Sequence, residues 1–281
     1  MPYSYRTLTR ALTAAGIQEA ADEARLLLEH FAGVSQVTLM TERDRVFEGA
    51  ALDAAVARRL ERYPLQYLLG AWDFYGLTFE VSEHVLIPRP DTEILVEEAV
   101  RHVPAGGRFA DLCTGSGCIP VALLHTRRDL TGVALELYPD TLSLAEKNAE
   151  THGVTPRFTP VLADLLRGGV EALEPYAPFD AILSNPPYIP SETVRGLSPE
   201  VLCEPPAALD GGEDGLLFYR AILRDYPRLL KAGGQILLEI GYDQAEDLRA
   251  LCAACLPDAT LRVVKDLGGN DRVVHITLPA P

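Results

Sequence analysis

The stretch DLCTGSGCIP, Asp111 to Pro120, follows a short apolar run and sets glycines at 115 and 117 ahead of a helical pattern. Glycine there permits a tight turn and close backbone approach to a ligand, and the helix start offers free N–H groups. A G-x-G alone is a weak signal. Glu136 strengthens it: about twenty residues on, at the end of the next apolar run, a carboxylate can accept hydrogen bonds from both hydroxyls of a ribose. The third glycine of a dinucleotide fingerprint is missing, since Pro120 stands in its place. This disfavours a pyrophosphate and favours a nucleoside-type cofactor such as S-adenosylmethionine. Asp164 closes a further apolar run, RFTPVLAD, where it can reach an adenine amino group.

The second chemical signal is DAILSNPPYIP, Asp180 to Pro190, which is apolar up to Ser184 and then sets Asn185 before two prolines and Tyr188. The lone pair of a carboxamide or aromatic amine is delocalised, so its nitrogen is a poor nucleophile. Methylating it takes a site that holds both N–H groups and turns the lone pair toward the methyl. Asn185 supplies a side-chain carbonyl and Pro186 a backbone carbonyl as the two acceptors, while Pro186 and Pro187 fix the local φ angles. Tyr188 offers a flat face for a planar amide or base. Because the proton leaves after methyl transfer, alignment and hydrogen bonding suffice and no strong base is needed.

Positioning these residues falls to two kinds of chain. Up to about Gly70 the pattern is helical only: Ala24, Leu27, Leu28 and Phe31 fall on one face, as do Leu52, Val56 and Leu60. Such helices must bury their stripes, most simply against one another, which predicts a small N-terminal bundle over 1–70. Trp72, Phe74, Leu77, Phe79 and Val81 then alternate with polar residues, so 71–88 reads as a hairpin linker. From Arg108 short apolar runs alternate with helical stretches, the mark of a mainly parallel sheet with helices on both faces, and a catalytic domain is expected over 89–281. Two strand-like runs around Gly268, Gly269 and Asn270 close it with an antiparallel hairpin.

With 281 residues and 48% apolar content, the chain can form one large domain or a medium one plus a small one. The formal charge of −15 leaves no general basic field for a phosphate backbone, so no direct nucleic-acid partner is expected and a basic protein partner suits better. The cysteines, Cys113, Cys118, Cys203, Cys252 and Cys255, lack paired ligand spacing. The single C-x-x-C lies in a helical apolar pattern and reads as small buried thiols, so no metal is expected. Neither a signal-peptide core nor a run of about 18 apolar residues is present, which predicts a soluble cytoplasmic chain with no membrane partner.

The combination resembles the protein-(glutamine) methyltransferases of peptide chain release factors, the PrmC/HemK family. The likeness runs from PLQYLLGAWDFYGLTFEVSEHVLIPRPDTE through DLCTGSGCIPVAL, FDAILSNPPYIP and EPPAALDGGEDGLLFYRAI to GGQILLEIG and DLGGNDRVV. It implies an α/β fold of the class-I S-adenosylmethionine-dependent type, Rossmann-like, with a seven-stranded sheet, an antiparallel C-terminal hairpin and the N-terminal helical bundle. It further implies transfer of a methyl group from S-adenosylmethionine, leaving S-adenosylhomocysteine, to the glutamine amide of a Gly-Gly-Gln motif in class-1 release factors. The helical domain would recognise that partner, and the enzyme is expected to be a monomer.

Carried across by residue, the resemblance puts the cofactor on the turn Asp111, Cys113, Thr114, Gly115, Ser116 and Gly117. Glu136 would hold the ribose, Asp164 and Leu165 would lie by the adenine, and Asn185 would sit alongside. Asn185, Pro186, Pro187 and Tyr188 would hold the glutamine, and Arg89 or Glu93 of IPRPDTE could reach the cofactor. Cys113 stands where the family usually has glycine, and Leu165 where an aromatic residue can occur. Two other readings share parts of the pattern. An adenine amino-methyltransferase uses the same N-P-P-Y claw but calls for a basic groove and base-flipping residues. A non-catalytic methyltransferase-like module would not need Asn185, Tyr188 and Glu136 intact.

Overall fold

The structure is a computed structural model that describes residues 2–280. The chain forms two compact units, one running up to Ala71 and joined by Leu197–Cys203, the other holding Trp72–Gly196 and the chain from Glu204 onward.

In the first unit five helices, α1 (Tyr5–Ala14), α2 (Ala20–Ala32), α3 (Gln36–Thr41), α4 (Ala50–Leu60) and α5 (Leu65–Leu69), bury their apolar stripes against one another. Leu8, Leu12, Leu27, Leu28, Leu52 and Val56 form the centre. A reciprocal Ser4–Thr7 capping box starts α1, and Gly33, at φ 63°, stops α2. The excursion Leu197–Cys203 is tied in by charge. Glu200 accepts from Arg62 at 2.5 and 3.0 Å and from Arg59 at 3.1 Å, and buried Arg59 also holds Glu23 at 2.5 and 3.0 Å. Nothing in the sequence pattern announced that this segment packs with the helices.

The second unit opens with a hairpin, β1 (Ala71–Phe74) and β2 (Leu77–Glu80). Its two-residue turn has φ 52° at Tyr75 and 72° at Gly76, both positive, which matches the right-handed twist of paired strands. Phe74 and Phe79 are buried in a core of this unit. The main sheet comprises β3 (Arg108–Leu112), β4 (Thr131–Glu136), β5 (Phe158–Leu162), β6 (Phe179–Ser184), β7 (Leu230–Glu239), β8 (Thr260–Lys265) and β9 (Asp271–Thr277). Their order is β5-β4-β3-β6-β7-β9-β8, parallel through β7 and antiparallel at β9 and β8.

One face is covered by α6 (Glu93–His102), α7 (Cys118–Thr126) and α8 (Pro139–Thr151), the other mainly by α9 (Gly169–Leu173), α11 (Leu217–Asp225) and α12 (Ala245–Cys255). A short α10 (Ser191–Val194) follows the N-P-P-Y turn. The chain order reverses between β3 and β6, and in open α/β sheets ligands bind at such a switch point, beyond the strand C-termini. No helix among the described residues is long and apolar enough to cross a membrane.

Candidate active site

Strand parity decides which side chains share the reversal point. Phe109, Ala134, Ala181, Leu183 and Leu237 point into the core under α6 and α7. Side chains alternate along a strand, so Asp111, Glu136, Asn185 and Glu239 emerge on that same face at the C-terminal ends of β3, β4, β6 and β7. Four polar residues on adjacent strands thus meet above one apolar layer. Beside them lies a cavity of about 430 Å³, in the range of small-molecule sites.

The G-x-G turn takes the shape the sequence predicts. Gly115 has φ 56° and lines the cavity, and a Cβ there would meet nothing within 4 Å. Cys113 adopts φ 61° as a glycine would, despite its side chain. Its sulfur packs on the core below, and burial pushes the thiol well up, so it stays a neutral thiol. Gly117 plays a different part from the one expected: it does not line the cavity, and a Cβ there would lie 3.0 Å from Ala145 Cβ in α8. Its bare backbone serves close helix packing.

Glu136 is held by the turn itself. Oε2 accepts from Gly115 N at 3.0 Å, and Oε1 from Leu137 N at 2.8 Å and Tyr138 N at 3.2 Å. Three of roughly four acceptor positions are therefore used by backbone, and the carboxylate shapes the loop as well as facing the cavity. Asp164 lines the cavity and accepts from Leu166 N at 2.8 Å. Leu165 lies alongside, its carbonyl taken by Tyr226 at 2.8 Å.

Beneath the turn, Asp111 is fully buried and neither of its carboxylate oxygens closes a hydrogen bond; Thr114 Oγ1 is unpartnered too. Desolvation, reinforced by Glu136, pushes Asp111 up to about 8, although the nearby Thr114 hydroxyl works the other way. Unpaired buried polar atoms are costly, and three together under a cavity wall mark a place built for a ligand that donates hydrogen bonds or carries positive charge.

Asn185 and Pro187 line the cavity, with Pro186 between them in the chain, and Tyr188 does not line it. Asn185 Nδ2 donates to Thr92 Oγ1 at 3.2 Å. Tyr188 packs on the core, and burial raises its phenol to about 12, so it stays neutral. The turn is clamped from outside: Gln244 donates to the Tyr188 carbonyl at 3.0 Å, and Ile189 pairs with Leu209 and Gly211 at 3.0 and 2.8 Å. A Cβ at Gly211 would fall 2.7 Å from Tyr188 Cα, and one at Gly215 2.4 Å from the Tyr188 carbonyl. The glycines of LDGGEDGL therefore let a second loop lie flush against Asn-Pro-Pro-Tyr.

Of the two candidates in IPRPDTE, Arg89 lines the cavity and is ion-paired to Glu204, whose other oxygen accepts from Ile87 N at 3.0 Å. Glu93 does not line it. Its carboxylate accepts from Tyr75 N at 2.7 Å and so fastens the hairpin turn. Sequence reasoning missed Thr92, Glu204, Glu239, Gln244 and Asn148. The last accepts from Glu80 N at 2.8 Å and donates to the Ser116 and Glu80 carbonyls at 2.9 and 3.0 Å. Each of these meets a partner from a different element of the chain, a range over which no local spacing rule operates.

Where α6 meets β9, Glu98, His102 and His275 bring their ligand atoms within 4.8 Å of one another. The cation they meet is a guanidinium: Arg262 Nη2 lies 2.8 Å from both His102 Nε2 and His275 Nδ1 and pairs with Glu98. Cys252 is in the core and Cys255 is exposed, both as free thiols.

Comparison with known proteins gives two family matches, the PrmC N-terminal domain over residues 5–70 and the methyltransferase small domain over 90–217. The release factor glutamine methyltransferase of Geobacter sulfurreducens is 42% identical over 92% of this chain and 90% of its own length. The Cereibacter sphaeroides protein of the same description is 41% identical over 98% and 97%. Among solved structures, a methyltransferase from Pyrococcus furiosus superposes with a TM-score of 0.55 at 18% identity, over 74% of this chain and 91% of that one. The fold is thus the class-I methyltransferase fold with an added helical region.

Proposed function

The chain belongs to the release factor glutamine methyltransferase family, and from that premise we propose which residues carry the reaction. The enzyme methylates the side-chain amide nitrogen of the glutamine in the Gly-Gly-Gln motif of class-1 peptide chain release factors, with S-adenosylmethionine as donor. One observation carries the residue assignment: Asn185 stands in the cavity wall with its NH₂ turned back onto Thr92, which leaves its carbonyl oxygen for an incoming N–H.

The cavity suits the donor. The G-x-G turn, the acidic pair Glu136 and Asp164, and the unpartnered oxygens of Asp111 and Thr114 together suit a ligand bearing positive charge and hydroxyl groups. When bound, S-adenosylmethionine supplies an electrophilic methyl group on a sulfonium. The chain's own residues do the rest. Thr114, Gly115 and Ser116 present the turn, Glu136 faces the ribose, and Asp164 with Leu165 flanks the base. Asn185 Oδ1 and the Pro186 carbonyl accept the two amide N–H groups and hold the nitrogen lone pair toward the methyl. As positive charge grows on that nitrogen both hydrogen bonds strengthen, which lowers the barrier without a general base. Released after transfer, the proton can pass to water, so the reaction needs no metal.

On this reading the helical unit recognises the release factor, the enzyme acts as a monomer in the cytoplasm, and nucleic acid is not a substrate. The net charge of −15 supports a basic protein partner. The test is transfer of labelled methyl from S-adenosylmethionine to a purified release factor, with mass mapping. Label on the Gly-Gly-Gln glutamine is expected. Label in DNA or RNA instead would move the assignment to the adenine amino-methyltransferases, and cofactor binding without transfer would mean a binding module.

A further inference from the structure

Glu239 is the one polar side chain of the four above the sheet for which the proposed reaction has no use. It ends β7, one step beyond the Ser184–Leu238 pair, and so lies beside Asn185 across the parallel ladder. Its backbone is fixed: the carbonyl accepts from Tyr219 at 2.7 Å, and the next N–H pairs with Arg272 at 2.9 Å. The side chain is buried, and its Oε2 meets no hydrogen-bond partner. Thr92 and Asn185 lie close enough to favour its ionised form, and Asn185 Nδ2 donates to Thr92 Oγ1 at 3.2 Å.

A carboxamide has two edges that differ in kind, one accepting and one donating. Rotation by half a turn would present NH₂ to the cavity, where it would meet the N–H groups of the substrate amide and repel them. Something must choose the edge. Thr92 alone cannot, because a hydroxyl both donates and accepts. An ionised carboxylate only accepts. An ionised Glu239, beside Asn185 in the ladder, would draw the Thr92 proton and one Nδ2 proton toward itself, leaving the Thr92 oxygen to accept the Nδ2 bond seen at 3.2 Å.

We propose that Glu239, acting through and alongside Thr92, is the positioning residue that fixes Asn185 with its carbonyl oxygen toward the substrate nitrogen. This rests on the reading of Asn185 given above. The remaining groups facing Glu239 are Arg272 from β9 and Asp91 from the turn Pro90–Thr92, with Tyr188, the Cys118 thiol of α7 and Tyr219 of α11 close by. Burial raises Glu239 to about 7, with Asp91 adding to it and Thr92, Arg272 and Asn185 opposing. The acceptor-only form therefore gains population as pH rises through that value.

The test uses the full chain with Glu239→Gln, which keeps the shape and removes the obligate acceptor. Turnover on a release factor should fall roughly 30-fold, while KM and cofactor affinity stay within about threefold. In the wild type kcat/KM should climb with pH through about 7. In the variant that limb should flatten. Thr92→Val should lose turnover similarly and Thr92→Ser should retain it. A readout independent of activity is the Asn185 side-chain NH₂ resonance pair, which should titrate in the wild type and not in Glu239→Gln. Loss of the ionisable group should leave the melting temperature unchanged or raised, which separates positioning from folding. Wild-type turnover and pH profile in Glu239→Gln would overturn the proposal. An Asn185 resonance that ignores the substitution would do so too, whether or not release factors prove to be the substrate.

Discussion

Two groups of acids on the main sheet handle charge in opposite ways. In one group each acid is paired: buried Glu98 of α6 with Arg262 and with Arg101 at 3.1 Å, and half-buried Asp180 of β6 with Lys231 and Arg108 N, both at 2.8 Å. At the C-terminal edge Asp111 has no partner for either oxygen and Glu239 lacks one for Oε2. Acids of the first group complete the fold, and their pairing leaves nothing to bind. Glu136 and Glu204 there are partnered, but Asp111 is left incomplete at a stability cost, which is what a site waiting for a cationic, hydrogen-bonding ligand requires.

Substitutions in the two groups should therefore separate activity from stability. The largest effect is expected for Asn185→Ala, because a well-aimed hydrogen bond to developing charge contributes about 10²- to 10³-fold in turnover. Cofactor affinity measured by calorimetry should be nearly unchanged, and an equal loss of both would mean that Asn185 touches the cofactor more than the substrate. Next comes Asp111→Asn, which should weaken cofactor binding by about tenfold or more, as expected for loss of one hydrogen bond to a charged group. Its melting temperature should not drop, since the substitution removes an unpaired buried acid; a clear drop would show that Asp111 is structural and would blur the contrast.

In the paired group, Glu98→Gln should lose about 1–3 kcal/mol of stability in urea titration, the cost of weakening a buried charged hydrogen bond. Turnover at saturating substrate should be unaffected. The smallest effect is on the pH dependence of melting. Glu98 sits below its ordinary range: burial works to raise it, but the bond and charge of Arg262, with His102 and Arg101, prevail. Its contribution is present above the unfolded value of about 4.3 and lost as pH falls through the lower folded value. Asp111 has the opposite sign, since its folded value of about 8 lies above the unfolded one, so it favours the fold at low pH and costs stability as pH rises toward 8. Glu98→Gln should flatten the acid limb of the melting profile and Asp111→Asn the limb above pH 4. Identical profiles in both variants would erase the difference between the groups.

Much of the site was legible because its residues end strands. Asp111, Glu136, Asp164 and Asn185 each close an apolar run in the sequence, and in a parallel sheet such ends gather at one edge. The βαβ alternation and the closing hairpin were readable for the same reason, through periods of 3.6 and 2. Less legible were residues whose identity suits several jobs. Gly117 looked like part of the ligand turn and instead lets α7 approach Ala145, while Glu93 looked like a cofactor contact and instead holds the hairpin turn. Glu239 was read only as part of a strand.

By itself, the sequence determined local matters: which segments form helices or strands, where a rigid turn presents Asn185, and which chemistry an acceptor beside a nucleoside pocket could serve. These follow from side-chain type and spacing within one element. Tertiary structure alone decided that Thr92 meets Asn185 beside Glu239, that Gln244 and two glycines clamp the Asn-Pro-Pro-Tyr turn, and that Leu197–Cys203 joins the helical unit. Those meetings depend on strand order and parity together. Strand order is set by how whole elements bury their apolar faces, which no short stretch of sequence encodes.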